Sequence, residues 1–263
     1  MSVVIPADGT VHTNRADNRW RAWWLLMVVS LTLSVASCVM FVVALFTGFR
    51  KRRLYAEVLG RGLGKAVLAL CGIRMVVHNA DGLSCAASDR QSIYIANHTS
   101  TLDVFILLAL GLPQTRFFLS GKYRFIPPLA VISRLIGVFF TTPQSIREGR
   151  VRCFQNAERV LRQTGDSVFL SPEGTRVTSG EIAPFNKGAF HLATNLKAPL
   201  VPLFIAIPRH INPGRGFAAR PGDVHVYFNS PIATGDWELR DLDHNRTGVH
   251  DLYVEMNSRW RLE

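Results

Sequence analysis

Residues 92–110 read SIYIANHTSTLDVFILLAL. Ser92–Ala96 is short and rich in β-branched and aromatic residues, the composition of a buried strand. Asn97–Ser100 is a polar break made of turn formers. Thr101–Leu110 is apolar almost throughout and is closed by Gly111 and Pro113, which predicts a helix. A strand that passes through a tight polar turn into a helix is the repeating unit of α/β sheets.

The alternation continues on both sides. Ile73–His78, Thr115–Ser120, Val138–Thr141, Ser167–Leu170, Leu200–Ile207 and Val224–Phe228 read as strands. Pro128–Ile136, Ser145–Gln163, Lys187–Leu196 and a segment from about Thr247 to the end read as helices. The expected fold class is therefore α/β, with a mixed, mostly parallel sheet flanked by helices and one domain over residues 91–263.

Upstream of this domain, Ala22–Phe49 contains no charged residue and no proline. As a helix it would reach roughly 40 Å, enough for a hydrocarbon core of about 30 Å with some tilt. Trp20, Trp23 and Trp24 stand at its start, where an interfacial aromatic belt would lie. Val35-Ala36-Ser37-Cys38 resembles a lipoprotein cleavage site, but the apolar run continues through Phe46 and meets Arg50-Lys51-Arg52-Arg53. A cleaved signal has a shorter core. The expectation is a retained, continuous membrane-anchoring helix over 22–49, after a polar tail over 1–21.

The denser basic flank places the C-terminal side, and with it the 91–263 domain, on the cytoplasmic face of an inner membrane. The same cluster would attract anionic headgroups. Residues 54–72 carry apolar positions at helical spacing interrupted by Gly60, Gly62 and Gly64. This amphipathic linker, within a 50–90 segment that also holds the first strand, suits either a membrane surface or ordinary packing.

The net charge is +11, and 25 of the 30 basic residues are arginine, a side chain suited to phosphate. Anionic lipid, phosphorylated small molecules and nucleic acid would all satisfy the charge. No helix-turn-helix, finger or RNP-type pattern supports nucleic acid. The four cysteines form no metal-type pair and no disulfide framework.

Two constellations could carry chemistry. In the first, His98 ends a strand and Asp103 lies in the first turn of the next helix. A carboxylate that accepts from one ring nitrogen leaves the other free as a base. Equally, Ser100-x-x-Asp103 before an apolar run is a capping-box variant, which explains the aspartate without chemistry. The second is Phe169-Leu170-Ser171-Pro172-Glu173-Gly174-Thr175-Arg176, a strand running into a tight loop. Arg176 there is either a phosphate ligand or half of a surface ion pair with Glu173.

Taken in order, these blocks resemble the glycerolipid acyltransferases, with the lysophosphatidic acid acyltransferases as central members. Asn97-His98 with Asp103 matches the first block, and Glu173-Gly174-Thr175-Arg176 the third. Lys122 before Pro127-Pro128 resembles the second. Phe185-Asn186-Lys187-Gly188-Ala189 resembles the stretch after the third, and Ala198-Pro199-Leu200-Val201-Pro202-Leu203 the fourth. The resemblance covers residues 50–230.

It implies a membrane-bound enzyme that transfers a fatty acyl group from acyl-CoA or an acyl carrier protein to the free hydroxyl of a lysolipid. The first choice of acceptor is 1-acyl-sn-glycerol-3-phosphate, which gives phosphatidic acid. His98 would be the base and Asp103 its partner, with Glu173, Gly174, Thr175, Arg176 and Lys122 holding the acceptor. No cofactor and no metal are expected, because the thioester supplies the driving force.

One departure stands out. After Gly137 the family usually places an arginine, and this chain has Thr141-Thr142. Arg124, Arg134 or Arg147 could replace it in space. A different acceptor, such as a lyso-ornithine lipid or another lysophospholipid, is the alternative. A lipid hydrolase is the other, although the G-x-S-x-G elbow is absent.

Overall fold

The structure is a computed structural model that describes residues 15–79, 90–143 and 145–262. Most of the expected polar tail and Cys85 lie outside the described residues. The remaining cysteines are free.

Seven strands among these residues form one sheet: β1 (Ile73–His78), β2 (Ile93–Ala96), β3 (Thr115–Ser120), β4 (Phe139–Thr141), β5 (Ser167–Leu170), β6 (Leu200–Ala206) and β7 (Gly222–Phe228). Their order is β1-β7-β6-β2-β5-β3-β4. The run β6-β2-β5-β3-β4 is parallel throughout, β7 is antiparallel to β6, and β1 is parallel to β7. A mixed, mostly parallel sheet is thus observed. The C-terminal ends of the five parallel strands define one end of the molecule, where open α/β sheets hold their ligands.

Helices α1 (Arg15–Phe46), α2 (Arg61–Cys71), α3 (Asp103–Leu110), α4 (Pro127–Ile136), α5 (Arg147–Thr164), α6 (Gly188–Leu196) and α7 (Leu242–Leu262) surround it. A π-helical turn, Leu54–Gly60, leads directly into α2. Alternate strand residues divide the core. Tyr94, Phe169, Leu203 and Val224 meet α1–α4 on one face. Ile93, Ile95, Val168 and Leu200 meet α5–α7 on the other. Tyr253 of α7 is fully buried there, and its hydroxyl donates to the Ile95 and Leu203 carbonyls at 2.8 and 3.0 Å. Burial pushes that hydroxyl well above its usual range.

The N-terminal helix has other bounds than expected and ends at Phe46. It starts at Arg15, not Ala22, because charged residues extend a helix as readily as apolar ones. It also packs along the domain. Leu25, Val29, Leu33, Met40 and Ala44 are buried, one or two turns apart, while Trp20, Trp23, Met27, Leu31 and Phe46 stay exposed on the other side. The basic cluster that follows is partly spent inside the protein. Arg52 pairs with the buried Asp166, and Arg116 binds the same carboxylate at 2.7 Å.

The linker helix takes the packing alternative. Gly64 of α2 lies against α3 so closely that a Cβ would sit 2.5 Å from the Ala109 nitrogen and 2.7 Å from the Phe105 carbonyl. This glycine permits the close crossing and is not a mere weakness in the helix.

Candidate active site

His98 follows β2 at the ligand-holding end of the sheet. Its Nδ1 lies 2.7 Å from Asp103 Oδ2, and its side chain is 26% exposed while that of Asp103 is 3% exposed. The same oxygen accepts from the amides of Thr99 and Ser100, each at 2.9 Å. One oxygen thus closes the turn and also faces the imidazole, but the helix begins at Asp103 with Leu102 at its N-cap, so Ser100 is not the cap expected from the sequence. With Nδ1 acting as donor to a carboxylate, Nε2 is left as the acceptor.

The main chain of His98 is held just as closely. Its N–H donates to Glu173 Oε2 at 2.6 Å, and its carbonyl accepts from the Val177 amide at 2.8 Å. Asn97, one residue earlier, is buried. Its side-chain amide donates to the Ile205 carbonyl at 2.9 Å and accepts from the Ile205 amide at 2.8 Å. That side chain reproduces a peptide group and continues the β2–β6 pairing past the end of β2. Asn97 was absent from the expected site residues. The signal was a side-chain amide directly after an apolar strand.

Glu173 is buried, and its second oxygen accepts from the Ala183 amide at 3.0 Å. Burial raises its carboxyl to about 7, against the two amide donors, which favour the ionised form. Both oxygens face inward, so this side chain ties the β5 loop to the backbone of His98. Asn186 braces the same loop, donating to the carbonyls of Pro172 and Glu173 at 3.1 and 3.0 Å.

The other expected residues spread around this centre. Gly174 is at the loop tip with φ +69°, a left-handed conformation open to glycine. Thr175 is exposed. Arg176 turns toward the β6–β7 loop, where its Nη1 donates to the Gly214 carbonyl at 3.0 Å. Lys122 is exposed in the turn after β3, with Nζ 5.0 Å from the centre of the Tyr123 ring. β3 lies two strands from β2, a lateral separation of about 10 Å. The structure thus brings His98, Asp103 and Glu173 together and places Lys122 and Arg176 on the rim.

Thr142 lies between β4 and α5 and packs on Gly149. Of the three arginines that could replace the missing one, Arg134 is in the last turn of α4. That turn leads to Gly137, which lies beside Arg52 and Arg116 at the far end of the sheet. Arg124 and Arg147 remain at the end that holds His98.

The acyltransferase family matches residues 74–206 of this chain. Relatives include the 1-acyl-sn-glycerol-3-phosphate acyltransferase of Limnanthes alba, 29% identical over 89% of this chain and 75% of that protein. The enzyme of the same name from Saccharomyces cerevisiae is 28% identical over 89% of this chain and 78% of its own length. A human beta form is 33% identical over 50% of this chain and 46% of its own. The crystal structure of the 1-acyl-sn-glycerophosphate acyltransferase PlsC from Thermotoga maritima has the same fold, with a TM-score of 0.77 at 21% identity. That likeness covers 94% of this chain and 98% of the other.

Proposed function

The chain belongs to the acyltransferase family, and we propose that it acylates the free hydroxyl of 1-acyl-sn-glycerol-3-phosphate, forming phosphatidic acid at a membrane surface. The observation that carries this reading is the His98 imidazole, with Nδ1 fixed on Asp103 and Nε2 open at the end of the sheet. Relatives named for this reaction support the choice of acceptor.

In the step proposed, Nε2 of His98 takes the proton of the acceptor hydroxyl as its oxygen attacks the thioester carbonyl. Asp103 stabilises the imidazolium that forms. Collapse of the tetrahedral intermediate breaks the C–S bond, and the leaving thiolate takes the proton back from Nε2. Asn97 and Glu173 position the turn, while Lys122, Thr175 and Arg176 face the acceptor. The step as proposed calls on His98 and Asp103 for its proton transfers.

The exposed apolar side of α1 supports membrane association. A helix packed on its own domain from Leu25 to Ala44 offers lipid only its outer side, and that side carries Trp20, Trp23, Met27 and Leu31. On the positive-inside argument, the domain would sit on the cytoplasmic side of the inner membrane. The donor is an acyl thioester, either acyl-CoA or an acyl carrier protein.

Thr142 supports a second reading, an acceptor with a differently placed anion such as a lyso-ornithine lipid or another lysophospholipid. A panel test separates the two. Membranes containing the protein receive labelled acyl-CoA with lysophosphatidic acid, other lysophospholipids or a lyso-ornithine lipid. Labelled phosphatidic acid is the expected product. Label only in another lipid overturns the choice of acceptor.

A further inference from the structure

At the His98 end of the sheet, two guanidinium groups meet on one peptide. Arg261, in the last turn of α7, donates to the Gly180 carbonyl, and Asn257 donates to the same oxygen at 3.0 Å. A Cβ built on Gly180 would lie 3.2 Å from Arg261 Nη2 and 3.4 Å from Arg209 Nη2, so these two cations stand within about 7 Å of each other. Arg209 lies just past β6. Both arginines are exposed, and neither makes an ion pair with a described carboxylate. Glu181, beside Gly180, is exposed and pairs with neither. Two unneutralised guanidiniums converging on one point repel each other unless an anion lies between them, and their fork geometry suits phosphate.

The position of the pair narrows the anion. Val177, whose amide binds the His98 carbonyl, is three residues from Gly180, a reach of at most about 10 Å. With the hydrogen bond to His98 and the approach of the guanidiniums added, the pair lies within roughly 20 Å of the His98 imidazole, a span the pantetheine arm of coenzyme A can bridge between a thioester and its phosphates. Arg261 belongs to α7, on the face of the sheet opposite α1, while Ile207 and Ile211 beside Arg209 pack with the α1–α4 face, so the pair spans this end of the sheet. An acyl-CoA laid across this end would have its chain toward lipid and its phosphates toward water.

We propose that Arg209 and Arg261 form the docking site for the nucleotide phosphates of the acyl-CoA donor. This inference rests on the acyl-transfer reading above. The test uses the purified full chain and an Arg209→Ala/Arg261→Ala double variant, with two independent readouts. In turnover, the variant raises KM for acyl-CoA about tenfold or more. It leaves kcat, KM for the lysolipid and the rate on acyl-pantetheine, which has the thioester but no nucleotide, within about twofold. Retained turnover of acyl-pantetheine also shows that the variant is folded.

In calorimetry, adenosine 3′,5′-bisphosphate binds the wild type and not the variant, which requires no turnover. Loss of bisphosphate binding in the variant while the wild type acylates no lysolipid would refute the acyl-transfer reading and still support a nucleotide phosphate site. Unchanged acyl-CoA KM and unchanged bisphosphate binding overturn the site itself. A raised KM for the lysolipid instead assigns the pair to the acceptor headgroup and overturns the proposal. A defect seen only with acyl carrier protein assigns it to a protein donor and overturns the proposal as well.

Discussion

In the turn after β2, the N–H, carbonyl and Nδ1 of His98 all have partners, contributed by Glu173, Val177 and Asp103. Around that turn, Lys122, Thr175 and Arg209 are exposed, and Lys122 and Arg209 make no ion pair with a described carboxylate. The first region holds the main chain and Nδ1 of His98 by hydrogen bonds, although Asp103 Oδ1, Thr101 Oγ1 and Ser171 Oγ are buried there without a partner. The second keeps its charges available to a ligand at little cost, because water solvates them. The contrast assigns proton transfer to the turn and choice of substrate to the rim.

Substitutions in the two regions should therefore fail differently. His98→Ala removes the base, and acyl transfer should fall about 10³-fold with an unchanged melting temperature. A loss of a few-fold would break the contrast at its centre. Asn97→Ala strips both Ile205 backbone groups of buried partners, and chemical denaturation should show a loss of about 3 kcal/mol, lowering Tm by about 10 °C. An unchanged Tm would mean that the turn is held elsewhere.

Glu173 connects the two regions through a pH effect. Its folded-state carboxyl, near 7, lies above the unfolded value of 4.5. The unfolded chain therefore ionises first as pH rises, so this group's contribution to stability is intact below 4.5 and lost by about 7. Between those limits the wild type should lose on the order of 3 kcal/mol relative to Glu173→Gln, measured by urea unfolding at several pH values. A pH-independent difference would contradict the buried setting described. The smallest effect belongs to the rim. Arg176→Ala should raise KM for a phosphate-bearing acceptor about tenfold and leave kcat nearly unchanged. Loss of kcat instead would place Arg176 with the turn.

What was legible in the sequence follows from distance along the chain. The strand–turn–helix of 92–110 is local and could be read from spacing, whereas the spacing of His98 and Asp103, five residues apart, left the aspartate open between a helix cap and a partner of the imidazole. The inward aim of Glu173 depends on His98 and Ala183, and the Arg52–Asp166 pair joins residues 114 apart. No periodicity reports such contacts. Gly64 read as a helix weakness because the backbone of α3, which needs the space, is remote in sequence. The apolar length of α1 was plain, but the division of its surface between core and exterior required the packed domain.

The most direct measurement follows a labelled acyl group from its thioester in the presence of lysophosphatidic acid, with wild-type and His98→Ala protein side by side. The account predicts that the wild type releases one thiol for each labelled phosphatidic acid formed, with little free fatty acid, and that the variant forms neither product. Free fatty acid as the main wild-type product, or phosphatidic acid from the variant at a comparable rate, would contradict it.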